Sequence, residues 1–134
     1  MKMRKRLMRA SLVLMALCIY LQWGRGVSVR NTISSSWDGK RTEHITIVAN
    51  KLYIGDKEAF AGDMIETCIN NEFRDVRFSY DMGYPAEITM DIYTNETARR
   101  LGIRCCEVRY AQPEKDRYRY NVKDDRERFV MTVK

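Results

Sequence analysis

The segment TEHITIVANKLYIGDKEAFAGDMIETCINNEF, residues 42–73, decides the fold because its hydrophobic period changes partway along. Residues 45–48 form a β-branched run with alternating character, which predicts a strand. Further on, Asp56 is a suitable N-cap and Asn70-Asn71 a suitable C-terminal stop for a helix. Between them apolar residues recur at helical spacing: Phe60, Ala61, Met64, Ile65, Cys68 and Ile69. This pair of elements predicts a helix packed on a sheet.

The rest of the chain adds strand patterns and one short helix. Residues 76–80 and 88–92 alternate around Gly83 and Pro85, which predicts a hairpin, and a two-turn helix should follow and end near Gly102. Residues 103–111 predict a strand with an apolar face of Cys106, Val108 and Tyr110, and residues 116–134 predict a second hairpin. The order β-α-β-β-α-β-β-β predicts one small α+β domain with an antiparallel sheet. It is either ferredoxin-like with an extra C-terminal hairpin or another α+β arrangement.

The first 26 residues differ from everything that follows. They begin with a basic cluster of Lys2, Arg4, Lys5, Arg6 and Arg9. Residues 10–24, which follow it, carry no charge. A helix over those 15 residues rises roughly 22 Å, which is shorter than the ~30 Å core of a bilayer. The pattern predicts an export signal with its positive end in the cytoplasm, either a cleaved signal peptide or a retained transmembrane anchor. We expect this leader at 1–26, a flexible linker at 27–41 and the α+β domain at 42–134.

The net charge of +6 does not indicate a nucleic-acid partner. The leader holds six of the 24 basic residues and none of the 18 acidic residues, so the remainder of the chain has 18 of each. A protein that neutralises phosphates needs a basic surplus on one face. We therefore expect no nucleic-acid binding and a membrane contact through the N-terminal segment.

Three cysteines follow the leader, and they suggest a disulfide rather than a metal site. Cys68 is on the apolar face of the predicted helix and Cys106 on the apolar face of a predicted strand, so these two are the candidate pair in an oxidising compartment. Cys105 is then left as a thiol. The chain has no C-x-x-C pair and a single histidine, His44, so we predict no metal site and no cofactor.

No motif predicts catalysis. His44 is far in sequence from any cysteine that it could activate, and the carboxylates Asp81, Glu87 and Asp91 flank a predicted turn, where acidic side chains are commonly solvated. We therefore expect no catalytic residues.

Tyrosines suggest an interaction surface. Tyr118 and Tyr120 share a face of the predicted late hairpin, whose place at a sheet edge suits strand addition by a partner or self-association. Packing of both rings on the domain's own core is the other explanation. We expect a secreted or membrane-tethered extracytoplasmic module that binds a protein or cell-surface polymer. A small exported hydrolase or thiol-redox protein, using cysteine or carboxylate residues, is the alternative.

Overall fold

The computed structural model describes residues 1–37, 40–79, 84–113 and 120–134, with the side chains of residues 37 and 40 left outside that description. The protein is α+β. Helix α1 (Lys2–Ile19) continues as a π-helical turn at Tyr20–Gly24. Five strands and two more helices follow: β1 (Ser28–Trp37), β2 (Lys40–Val48), α2 (Lys57–Ile69), β3 (Glu87–Tyr93), α3 (Glu96–Arg100), β4 (Cys106–Ala111) and β5 (Val130–Val133).

The strands form one mixed sheet in the order β1-β2-β3-β4-β5. Strands β2 and β3 are parallel, with Ile45 opposite Met90, and every other neighbouring pair is antiparallel. Helix α2 makes the crossover between the parallel strands, as a parallel connection requires. Because β2 and β3 are hydrogen-bonded neighbours, this βαβ unit is not split by an intervening strand, and the ferredoxin-like arrangement is not confirmed.

Local sequence explains both helices of the domain. Asp56 caps α2 by accepting a hydrogen bond from the Ala59 N–H at 3.0 Å, as predicted. The helix ends at Ile69 and Asn71 turns the chain with a φ of 57°, a left-handed value that asparagine tolerates. Asn95 caps α3 in the same way as Asp56 caps α2, and Gly102 ends that turn with a φ of 72°.

The hydrophobic core lies between α2 and one face of the sheet. The central strands supply the buried side chains Ile45, Ile47, Ile88, Met90, Ile92, Cys106 and Val108. Helix α2 supplies its predicted apolar stripe, of which Ala61, Met64, Ile65, Cys68 and Ile69 are buried and Phe60 is half-buried. The predicted apolar face of β4 is confirmed, because Cys106, Val108 and Tyr110 are all buried.

The linker predicted for residues 27–41 is instead occupied by β1 and the first residues of β2. The polar sequence of β1 did not predict a strand, because β1 lies at the sheet edge and is held mainly by hydrogen bonds to β2, with Val29 as a side chain that packs on the core. The folded domain therefore begins at Ser28, ahead of the predicted boundary at residue 42.

Two predicted strands are absent from the described residues. Residues 76–79 are irregular, and residues 80–83 lie outside the described part of the chain. The Phe78 backbone N–H and C=O bond to the Asn71 side-chain amide at 2.7 and 2.9 Å, so a side chain takes the place of a neighbouring strand. Residues 120–125 form turns, because the Asn121 side-chain oxygen accepts from the N–H groups of Lys123 and Asp124. Residues 114–119 lie outside the described part of the chain, and among the described residues of the predicted late hairpin only β5, at the sheet edge, is a strand.

Candidate functional site

The face of the sheet opposite α2 is the candidate site, and we call it the outer face. Strand register places a set of polar side chains on it: Thr42, His44, Thr46, Glu87, Thr89, Asp91, Glu107, Arg109 and Thr132. Side-chain exposure is 43% for His44 and 47% for Arg109, so the centre of this face is open to solvent. An antiparallel-rich sheet with one solvated face is common, and the chemistry of the exposed residues decides what it can bind.

One charged network crosses the outer face from β2 to β4. His44 Nε2 lies 2.7 Å from Asp91 Oδ2, and an Arg104 guanidinium nitrogen donates to Asp91 Oδ1 at 2.9 Å. The same guanidinium pairs with Glu107 at 3.2 Å. The hydrogen bond to Asp91 raises the pKa of Arg104. Both oxygens of Asp91 are therefore engaged by charged or polar neighbours.

A second ion pair and a shallow depression lie beside that network. Arg109 Nε donates to Glu87 Oε1 at 2.9 Å. The depression has a volume of about 300 Å³ and is lined by Ile33, Ser35, Thr42, Glu43, His44, Glu87 and Thr89. Hydroxyl groups and one aliphatic side chain thus surround paired charges, an arrangement that suits a polar ligand lying flat on the sheet.

The predicted carboxylate candidates Glu87 and Asp91 lie on the same face of one strand, four residues apart. Each is engaged by different partners, because Glu87 accepts from Arg109 whereas Asp91 contacts His44 and Arg104. Asp81, the third predicted candidate, lies outside the described residues.

The two cysteines of the predicted disulfide lie in one hydrophobic core. Cys68, on the inner side of α2, and Cys106, at the start of β4, are both buried there. Cys105 is half-buried against the same core. The Cys68–Cys106 disulfide stays a prediction for oxidising conditions.

Burial also determines the reactivity of Cys106. Desolvation, followed by the neighbouring Cys105 thiol, raises the pKa of Cys106 to about 11. The thiolate is the nucleophilic form of cysteine, so this site is poorly suited to thiol chemistry at neutral pH. Within the described ranges no three His, Cys, Asp or Glu side chains are grouped so that they could hold a metal ion.

The predicted tyrosine surface is described for one of its two members. Tyr118 lies outside the described residues, and Tyr120 is half-buried against the core. The Gln112 side chain bonds to the N–H and C=O of Tyr120 at 3.1 and 2.8 Å, and the Arg128 guanidinium lies 4.6 Å from the centre of its ring. These contacts give Tyr120 a packing role, and an interaction surface on the pair stays a prediction.

The predicted targeting residues Lys2, Arg4, Lys5, Arg6 and Arg9 all belong to α1 and are exposed. No side chain of α1 is buried, and the helical segment Lys2–Gly24 is long and apolar enough to cross a membrane, a test that a signal sequence also passes.

The leader contacts the domain directly, which no sequence pattern predicted. The Gln22 side chain accepts from the N–H groups of Leu52 and Tyr53 at 2.9 and 3.0 Å and donates to the Tyr53 carbonyl at 2.6 Å. Lys51 Nζ donates to the Gln22 carbonyl at 3.0 Å. The sequence did offer one signal for this contact. Gln22 is a strongly polar residue near the end of the apolar run, and such a side chain needs a hydrogen-bond partner.

Comparisons of the chain with protein-family models, with curated proteins and with solved structures give no match.

Proposed function

We propose that this protein is a small binding module anchored in a membrane by α1 and displayed on the extracytoplasmic side. Its outer face contacts a protein or a cell-surface polymer. The open outer face is the observation that carries the binding role, since paired charges and hydroxyl groups are exposed there together.

The anchoring part of the proposal is supported by charge and by the junction at Gln22. Five basic residues lie in the first nine positions, and basic residues remain preferentially on the cytoplasmic side of a membrane. The rest of the chain then follows α1 to the opposite side. Three hydrogen bonds between Gln22 and residues 52–53 join the end of the helical segment to the domain, as expected for an anchor that is retained.

The binding part is supported by the composition of the outer face. Its ion pairs hold the charged side chains in fixed positions, while Thr89 and Thr42 offer hydroxyl donors and acceptors between them. Such a surface provides polar complementarity over a broad area rather than an enclosed pocket for a small molecule. The alternative of a hydrolase or thiol-redox protein has less support. Asp91 is already held by His44 and Arg104, and the raised pKa of Cys106 keeps its thiol protonated at neutral pH.

Site-specific crosslinking in intact cells tests the proposal. A photo-crosslinking amino acid is placed at Thr89, at the centre of the outer face, and in a control protein at Asp63, which is exposed on α2. We expect a discrete crosslinked product from position 89 and none from position 63. Equal labelling from the two positions, or none from either, contradicts a binding role for the outer face.

Membrane topology is tested separately. An alkaline phosphatase domain fused after Lys134 should be active, because it is exported, and its activity should be lost when the five basic residues of the leader are replaced by glutamine. An inactive fusion of the native sequence contradicts display outside the cytoplasm.

A further inference from the structure

Large apolar side chains exposed on the folded domain are concentrated at one end of the sheet. Leu52 and Tyr53, in the β2–α2 connection, are 50% and 71% exposed. Leu101 and Ile103, in the α3–β4 connection, are 69% and 61% exposed. We call these four residues the apolar rim.

Strand register places the two halves of the rim side by side. Strands β2 and β3 are parallel and end together, with Val48 opposite Tyr93. The connections that follow them are joined by a hydrogen bond from the Lys51 N–H to the Thr94 carbonyl at 2.9 Å. The same end of the sheet receives α1, because β1 begins there with Ser28 opposite Val48.

The end of α1 is fastened to this part of the domain. Gln22 is hydrogen-bonded to Leu52 and Tyr53, and the Asn50 side chain donates to the Gly26 carbonyl at 2.8 Å. Two aromatic side chains of the same turn, Tyr20 and Trp23, are 55% and 70% exposed. Tyrosine and tryptophan at the end of an apolar helix are typical of the boundary between membrane and water.

A basic cluster lies next to the rim. Arg30 contacts the Glu96 carboxylate at 3.2 Å, Arg100 contacts it at 3.5 Å, and Arg99 hydrogen-bonds to it. Three guanidinium groups share one carboxylate, which leaves a local excess of two positive charges. Positive charge beside exposed apolar side chains is complementary to a bilayer with anionic headgroups.

We propose that the apolar rim rests in the headgroup region of the bilayer that α1 crosses, with anionic lipid as its partner. This inference rests on the proposed membrane anchor. The strands then lead away from the membrane surface, and the outer face stays accessible from the side. The β2–α2 and α3–β4 connections would both contact the bilayer in addition to α1. These contacts fix the orientation of the domain relative to the membrane.

Fluorescence quenching by brominated phospholipids tests the rim in the full-length protein. Vesicles of phosphatidylcholine and phosphatidylglycerol carry bromine on the acyl chains close to the headgroup. Native Trp23 is measured in a Trp37→Phe protein. Tyr53→Trp and Ile103→Trp are each measured in a Trp23→Phe/Trp37→Phe background. Val130→Trp in the same background is the matched control, since Val130 is 58% exposed and pairs with Ala111, at the other end of β4.

We expect strong quenching of Trp23, of Tyr53→Trp and of Ile103→Trp, and several times weaker quenching of Val130→Trp. Quenching of Trp23 alone overturns the rim while leaving the anchor intact. Absence of quenching at every position overturns the anchor and the rim together. Circular dichroism of each variant, compared with that of the native protein, establishes that the substitutions leave the fold unchanged.

Discussion

Gln22 and Tyr53 bind each other through both hydrogen-bonding groups of a side-chain amide. Gln22 Nε2 donates to the Tyr53 carbonyl at 2.6 Å, and Gln22 Oε1 accepts from the Tyr53 N–H at 3.0 Å. A side chain of the leader thereby acts toward residues 52–53 as a neighbouring strand would. The leader and the domain are joined by specific contacts, which a freely moving tether would lack.

Removing that amide should loosen the junction without unfolding the domain. We expect Gln22→Met, which keeps the length of the side chain, to speed hydrogen exchange at the Leu52 and Tyr53 amides by about fivefold or more, since one net hydrogen bond is worth roughly 1 kcal/mol. Exchange at Val108, in a central strand, is the internal control. Unchanged exchange at residues 52–53 would show that the contact does not form in solution.

The buried carboxylate of Glu43 should be important for stability. Ser34 Oγ donates to Glu43 Oε2 at 2.5 Å, and Arg41 Nε lies 2.7 Å from Oε1 as a charge contact without the angle of a hydrogen bond. Glu43→Gln leaves the partly buried Arg41 without its counter-charge, and we expect a loss of about 3 kcal/mol in the free energy of unfolding. Urea denaturation measures this.

Glu107→Gln is the matched control for that substitution, because Glu107 is 40% exposed and pairs with an exposed Arg104. Surface ion pairs contribute about 1 kcal/mol or less. Equal losses in the two variants would contradict a specific role of the buried pair.

Acid should destabilise the domain through Glu96. The hydrogen bond from Arg99, with Arg30 and Arg100 nearby, lowers the pKa of Glu96 from 4.5 to about 2. A carboxyl whose pKa is lower in the folded state stabilises the fold above its unfolded pKa, and this contribution is lost as the pH falls through the folded value. We expect the melting temperature to fall between pH 4.5 and 2, with a smaller fall for Glu96→Gln. Parallel curves for the two proteins would contradict this.

Alkylation should separate the cysteines by burial. In the folded protein at neutral pH, Cys106 should resist iodoacetamide, because its thiol is buried and its pKa is raised to about 11. The half-buried Cys105 should react faster than Cys106, and denaturant should make Cys106 reactive. Mass spectrometry of the peptides gives the order, and rapid native labelling of Cys106 would contradict its burial. The same peptides reveal whether oxidation joins Cys68 to Cys106.

Elements with strong local signals could be predicted from sequence. Helix α2 has a capping aspartate and an apolar stripe at helical spacing, and β3 and β4 alternate because one face of each is buried. Strand β1 could not be predicted, since its small polar residues have no periodicity and its hydrogen bonds come from β2. For residues 76–79 the prediction was wrong in the other direction. Their alternation predicted a strand, but the segment is irregular and the Phe78 backbone bonds to the Asn71 side chain.

The candidate site was less predictable than the fold. His44, Asp91 and Arg104 are distant in sequence, and only the parallel pairing of β2 and β3, together with the turn before β4, brings them together. The apolar rim likewise depends on register, because Leu52 and Ile103 are far apart along the chain.

The central claim is that α1 is a retained anchor fastened to the domain. The most direct test is the intact mass of the protein recovered from membranes. We expect the membrane fraction to contain the 15.9 kDa chain with α1 still attached. A shortened protein that begins near residue 27 and is recovered in the soluble extracytoplasmic fraction would show that the leader is cleaved, and would contradict the account.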